Sequence, residues 1–344
     1  LFRSKTVFVL GAGASAEVGL PVGKKLLEQI SRLIDIRYDH FQMVSGDHLI
    51  SQALKVILDE GGGVINYNEH LQVAWQVISS ANQALSIDNI VDSLEDSRVE
   101  LVAKLGIARA IHAAEGNSAF FKPVDRDPLK LNYSKFGDSW YTGFTNLICE
   151  NRRKSELEKV FENLSIVSFN YDRCIENYLP KSIANYYGVE VRDVLPYFQS
   201  VPIHRPYGIA GKINWDHMGV AKGFGGNRAD YLVQSANSIR TYSEGVENPK
   251  SLASMRLDLA EADKIIFLGL AFHRPNLELL EAKVKKSVQV FATSGNISDP
   301  DLEVINSELR AVFSMNASEN NKQLSFAKMH CKEFFETYWR SLTA

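Results

Sequence analysis

Apolar positions along this chain fall into two spacings. Short unbroken runs, Val7–Leu10, Leu164–Phe169, Lys264–Leu270 and Val288–Ala292, fit strands buried on both faces. Elsewhere the apolar residues recur at helical spacing. Leu26, Leu27, Ile30, Leu33 and Ile34 mark a helix within Lys24–Arg37, and Ile90, Val91 and Leu94 mark one opened by Ser86-Ile87-Asp88. Leu101, Leu105, Ala108, Ile111 and His112 make a further face, as do Trp140, Phe144 and Leu147 within Ser139–Asn151. Leu252, Met255 and Leu259 predict a helix over Ser251–Ala262, and another is expected over Asn276–Lys285. Val201–His204 is a short apolar piece. Gly61-Gly62-Gly63 punctuates two helical stretches, and Asn117–Asp138, with Pro123 and Pro128, reads as a surface loop.

Strand and helix alternate through the C-terminal half, the mark of a parallel sheet. The first strand belongs to that sheet but is separated from it by a mainly helical stretch. The expected organisation is α/β, with a Rossmann-like parallel sheet built from residues 1–39 and 161–344. Residues 40–160 are expected to form a large helical insertion after the first strand-helix unit.

The chemistry concentrates where strands end. Thr6–Gly23 reads TVFVLGAGASAEVGLPVG, a buried strand running into a turn of residues with little or no side chain. Such a turn lets backbone N–H groups approach a phosphate. Gly11-x-Gly13-x-x-Ala16 fits the G-x-G-x-x-G/A dinucleotide fingerprint. A dehydrogenase would also need an acidic residue at the end of a second strand, roughly 20 residues on, to hold the ribose. Asp35 sits at that distance but inside a helical pattern, so the expected protein is a nucleotide fold that is not a dehydrogenase. Asn170 and Asp172 lie just past another strand, where α/β sheets place ligands. Local sequence alone equally allows Asp172 as a helix cap and Asn170 as a turn former.

Composition narrows the picture further. A net charge of −3 over 344 residues gives no electrostatic reason for nucleic acid or membrane as the main partner. No apolar run approaches membrane-spanning length, and the first residues do not read as a signal peptide, so a cytoplasmic protein without direct membrane binding is expected. The three cysteines, Cys149, Cys174 and Cys331, are widely spaced with no C-x-x-C pair. That excludes a zinc ribbon and leaves buried free thiols as the expectation.

GAGAS with GLP, SIDNIVDSL, VSFNYDRCIENYL, IHRPYG and IFLGLAFHRPNLELL come one after another in that order. In that combination the chain resembles the sirtuin-like proteins of bacteria, in particular the branch that hydrolyses NAD in defence against phage. The resemblance implies that Gly11, Ala12, Gly13, Ala14 and Ser15 bind the NAD phosphates, with Pro21 of GLP beside them. It implies Asn170 as the catalytic asparagine beside the nicotinamide ribose and Asp172 as support for the pocket. His204 would be the catalytic histidine, preceding Gly208. This chain, however, has His204-Arg205-Pro206-Tyr207-Gly208 where relatives have His directly before Gly or His-x-Tyr-Gly, so either His204 or Tyr207 fills that slot. Gly269, Phe272, His273 and Asn276 correspond to a loop at ribose and phosphate, and Thr293, with Ser294 and Gly295 after it, to an adenosine contact. Phe272 also fits a core residue and His273 a surface one. Asp88 matches the family's Ser-Ile-Asp, and also fits a first-turn acid with Ser86 as helix cap.

The expected activity is that of an NAD glycohydrolase yielding ADP-ribose and nicotinamide, with NAD as substrate and no metal. The resemblance further implies a homo-oligomer and a defence-system partner protein or phage-derived trigger. Two alternatives remain: an NAD-dependent deacylase, which the missing zinc cysteines disfavour, and an NAD or ADP-ribose sensor without catalysis.

Overall fold

In the computed structural model the described residues are 4–60, 66–121, 129–137, 139–217, 219–241, 244, 249–315 and 323–343. The Gly61–Gly63 punctuation and the Pro123–Pro128 stretch lie outside them. At the centre is an all-parallel sheet of six strands: β1 (Thr6–Leu10), β2 (Leu164–Ser168), β3 (Ile203–His204), β4 (Lys264–Leu268), β5 (Gln289–Thr293) and β6 (Leu324–Ala327). Their spatial order is β3-β2-β1-β4-β5-β6, which is the Rossmann order. The expected Rossmann-like α/β fold is therefore what the chain adopts.

The apolar runs explain the layers. All five residues of β1 are buried, and because successive side chains alternate across a strand, the run supplies two cores at once. Val7 and Val9 join helices Gly23–Ile34, His48–Glu60, Tyr67–Ala81 and Ser97–Asn117 on one face. Phe8 and Leu10 join helices Trp140–Cys149, Cys174–Tyr187 and Cys331–Thr337 on the other. Residues 40–160 thus contribute to both faces of the sheet. The stretch read as a surface loop places Phe120 and Phe136 inside the second core, against Tyr141 and Tyr178. All three cysteines are free and buried. Among the described residues no helix is long and apolar enough to cross a membrane.

Register fixes where a ligand can sit. Leu10 is level with Ser168 on one side and Leu268 on the other, so the chain leaves β1, β2 and β4 side by side. The connection leaving β1 runs to β2 and that leaving β4 runs to β5, toward opposite edges of the sheet, and that reversal opens a crevice at the carboxyl ends of β1 and β4. The two turns there interlock through backbone: Gly11 N–H donates to Leu268 O at 2.9 Å and Gly13 N–H to Gly269 O at 2.9 Å. Gly269 adopts φ +61°, and a Cβ there would sit 2.1 Å from Ala14 N. This is why β4 stops at Leu268 and does not continue to Leu270 as the apolar run suggests. Asp35 caps the end of helix Gly23–Ile34 and pairs with Arg37 at 2.8 Å, and it is not among the residues that follow β1, β2 or β4.

Candidate active site

A cavity of about 520 Å³ occupies the crevice. Its floor is the backbone of Gly11, Gly13 and Gly269, and one wall is the Asn170–Asp172 turn after β2. Asp88, Tyr207 and Asn276 close that end, while Thr293, Ser294 and His330 line the opposite end. The volume falls within the range of clefts that accept cofactor-sized molecules.

Asn170 and Asp172 are tied to the glycine turn by one side chain, Ser15. Its hydroxyl donates to Asp172 Oδ2 at 2.7 Å and accepts from Asn170 Nδ2 at 3.0 Å. Asn170 Nδ2 also donates to Gly11 O at 3.0 Å. A carbonyl can only accept, so the amide nitrogen must face Gly11 and the orientation of Asn170 is determined. Asn170 Oδ1 is then left buried without a partner. Such an orphan costs about 1–3 kcal/mol, and a buried acceptor on a cavity wall is open to a donor from a molecule in the cavity. Asp172 Oδ1 accepts from Cys174 N at 3.0 Å. One oxygen of Asp172 thus bonds the first amide of helix Cys174–Tyr187, whose N-cap position is Arg173, and the other holds Ser15.

The turn is braced from behind by a residue that motif reading passed over. Arg205 donates through one guanidinium nitrogen to the carbonyls of Asn170 at 2.7 Å and Asp172 at 2.9 Å, and pairs with Glu176. Its position inside the glycine-terminated IHRPYG motif was the available signal. Arg173, wholly buried, is held by Glu115 from helix Ser97–Asn117. Beside them His112 meets Ala210 O at 2.9 Å, and burial followed by the Arg173 charge pushes its pKa down to about 3.

His204 does not reach the cavity. It ends β3 level with Val167, and its Nε2 lies 2.7 Å from Asp258 on helix Pro249–Glu261. Tyr207 does reach it, because Arg205-Pro206 carries the chain past the strand end. Its hydroxyl donates to Asn276 Oδ1 at 2.9 Å. Of the two residues open for that slot, the structure brings Tyr207 to the site. Phe272 packs in the core on Phe267 and Phe326, and its alternative reading as a core residue fits. Gly208 lies outside the lining, and its glycine is needed because a Cβ would meet Ser238 O at 2.0 Å. Ala14 sits beneath the floor, its carbonyl accepting from Trp140 Nε1 at 2.7 Å. Gly11, Ala12, Gly13, Ser15, Pro21, Asp88, Asn170, Asp172, Gly269, His273, Asn276 and Thr293 all line the one cavity. Of the glycine-turn amides, those of Gly11, Gly13 and Ala14 already donate within the protein. Ser294 and Gly295 line the cavity beside Thr293, and so do Met329 and His330, which belong to none of the sequence motifs.

Asp88 is buried in the second position of helix Ile87–Leu94, whose cap is indeed Ser86, and accepts from Tyr171 Oη at 3.1 Å. Burial pushes its carboxyl from the ordinary 3.8 up to about 6, and the Tyr171 bond offsets only part of that. With the folded value raised, the group's contribution to stability is intact below its unfolded pKa and is lost as pH rises through about 6. Asp88→Asn is therefore expected to stabilise the fold at pH 8, by up to about 3 kcal/mol for a two-unit shift, and to change little at pH 4. Thermal melts of both proteins at the two pH values check this; equal gains at both would refute it.

The fold and crevice together define a Rossmann-like α/β protein with a cleft at its topological switch point. No family model matches the chain, and no curated protein matches it.

Proposed function

We propose that this protein hydrolyses NAD at the nicotinamide glycosidic bond, releasing nicotinamide and ADP-ribose. The observation that carries the reading is Asn170, oriented by Gly11 O and held by Ser15, an amide with an orphaned acceptor on the wall of a switch-point cavity. A ribose hydroxyl or the attacking water is the donor it lacks. Charge supports the same chemistry. The lining contains the carboxyls of Asp88 and Asp172 and no lysine or arginine among the described residues. Nicotinamide departs neutral and leaves an oxocarbenium-like ribose, so the positive charge develops where the walls are acidic and buried. The pyrophosphate would rest on backbone at the glycine turn. The proposed setting remains antiphage defence in the cytoplasm by NAD depletion, with a homo-oligomer and a trigger or partner protein.

The seat of His204 outside the cavity favours one second reading, an NAD or ADP-ribose sensor without turnover. Incubating the protein with NAD, with and without an acetylated peptide, and quantifying nicotinamide separates the possibilities. Nicotinamide release that needs no peptide is expected, and His204→Ala should keep the rate within about threefold. Release that requires the peptide would replace hydrolysis by deacylation. Tight NAD binding without release would favour the sensor.

A further inference from the structure

Resting on the hydrolase reading, we infer that Asp88 is the catalytic base: its carboxylate takes the proton of the attacking water at the nicotinamide end of the cavity. The resemblance to known families offers Asp88 only as a contact, and offers a histidine for the base. The geometry distributes these roles differently. Asp172 and Tyr207, which line the cavity with Asp88, are already committed. Asp172 accepts from Ser15 and from Cys174 N, and Tyr207 donates to Asn276. His204 is held outside by Asp258, and His273 and His330 are exposed. Asp88 lines the cavity, is buried, and among the described residues has Tyr171 as its side-chain partner.

Tyr171 suits a base that must cycle. Its hydroxyl lies 3.1 Å from Asp88 Oδ1 and 3.3 Å from the carbonyl of Arg240. One phenol proton can serve only one of them well at a time. It stabilises the carboxylate before the reaction and can turn to Arg240 O once Asp88 carries a proton. The step balances. The C1′–N bond breaks with its electron pair going to the nicotinamide nitrogen, the water oxygen bonds C1′, and the water proton passes to Asp88 and then to solvent.

Among the described residues, no charged group of the neighbouring helices pairs with Asp88. Helices Tyr67–Ala81 and Ser97–Asn117 pack against its helix, and their charged groups are paired elsewhere. Arg98 pairs with Asp96 and Glu69, Lys104 with Glu100 and Glu244, Arg109 with Asp47, and Glu115 with Arg173. Of the buried histidines on those helices, His70 and His112 turn to the carbonyls of Asn66 and Ala210. From the cavity walls the titratable groups are Tyr171, Asp172, Tyr207, His273, His330 and Cys331.

The test is a pH profile of nicotinamide release for wild type, Asp88→Asn and Tyr171→Phe, with NAD affinity measured by calorimetry on each. Wild type should show an acid limb near the Asp88 value of about 6. Asp88→Asn should lose on the order of 100-fold or more in kcat, as for loss of a general base, with Kd for NAD changed less than about threefold. The acid limb should vanish with it. Tyr171→Phe should keep the limb and move it to higher pH, since the carboxylate loses its donor. Wild-type kcat in Asp88→Asn, or an unchanged acid limb there, overturns the assignment while leaving the hydrolase reading standing. A loss confined to NAD affinity also overturns it, making Asp88 a binding residue. NAD binding without nicotinamide release by wild type overturns the hydrolase reading and the assignment together.

Discussion

Asn170→Ala should abolish nicotinamide release, by about 10²- to 10³-fold in kcat, the cost of removing one preorganised polar group from a charge-stabilising site. The variant should still fold. Truncation gives up the bonds to Gly11 O and Ser15 Oγ, but it also removes the buried, unpartnered Oδ1. Those changes oppose one another, so stability should move by no more than about 1 kcal/mol. Ser15→Ala tests the same unit from the other side. Asn170 would keep Gly11 as a reference for its amide nitrogen, while Asp172 Oδ2 would lose its donor. A smaller loss of rate is therefore expected for Ser15→Ala than for Asn170→Ala. Undiminished turnover in Asn170→Ala, measured as nicotinamide per protein at saturating NAD, would remove Asn170 from the chemistry.

Much of this site is legible because strand ends impose it. A continuous apolar run must be a buried strand, and small or polar residues straight after it stand at the carboxyl edge where ligands bind. That logic found Gly11, Ser15, Asn170 and Asp172 without knowledge of which strands are neighbours. It fails for His204. A strand of two residues carries no readable alternation, so nothing local says that the imidazole turns to Asp258 and away from the cavity. Helix Arg274–Leu279 begins with Pro275 in its first turn, where proline is favoured, so the earlier start was readable. Its end was not. The periodicity runs on to Lys285, but the N–H of Ala282 is captured by Val312 O from a distant helix. The edge strand β6 and helix Asp299–Val312 escaped prediction for different reasons. Leu324–Ala327 is short and only partly buried, whereas Ser298-Asp299-Pro300-Asp301 is a readable helix start whose cap, Ser298, accepts from Asp301 N at 3.3 Å.

Arg173 shows what no local pattern carries, because its partner lies 58 residues away and both side chains are wholly buried. Glu115 accepts from the Arg173 backbone N–H at 3.0 Å, from Nε at 2.9 Å, and from Gly225 N at 3.0 Å. The guanidinium also reaches Gly211 O and Tyr231 Oη. This one pair fastens helix Ser97–Asn117 to the turn carrying Asn170 and to the glycine-rich stretch around Gly225. Removing either partner strands a charge in a dry interior, so Glu115→Leu and Arg173→Met should each destabilise the protein by about 3–5 kcal/mol. The double variant has no charge to strand and should lose much less than the sum. Denaturant titration of the four proteins gives the coupling directly. Nicotinamide release should fall in Glu115→Leu even under conditions where it is folded, because the backbone bond that sets the residue after Asp172 is gone. A loss in the double variant equal to the sum of the two single losses would show that the pair does not act as one unit. Retained activity in a folded Glu115→Leu would show that it does not position the site.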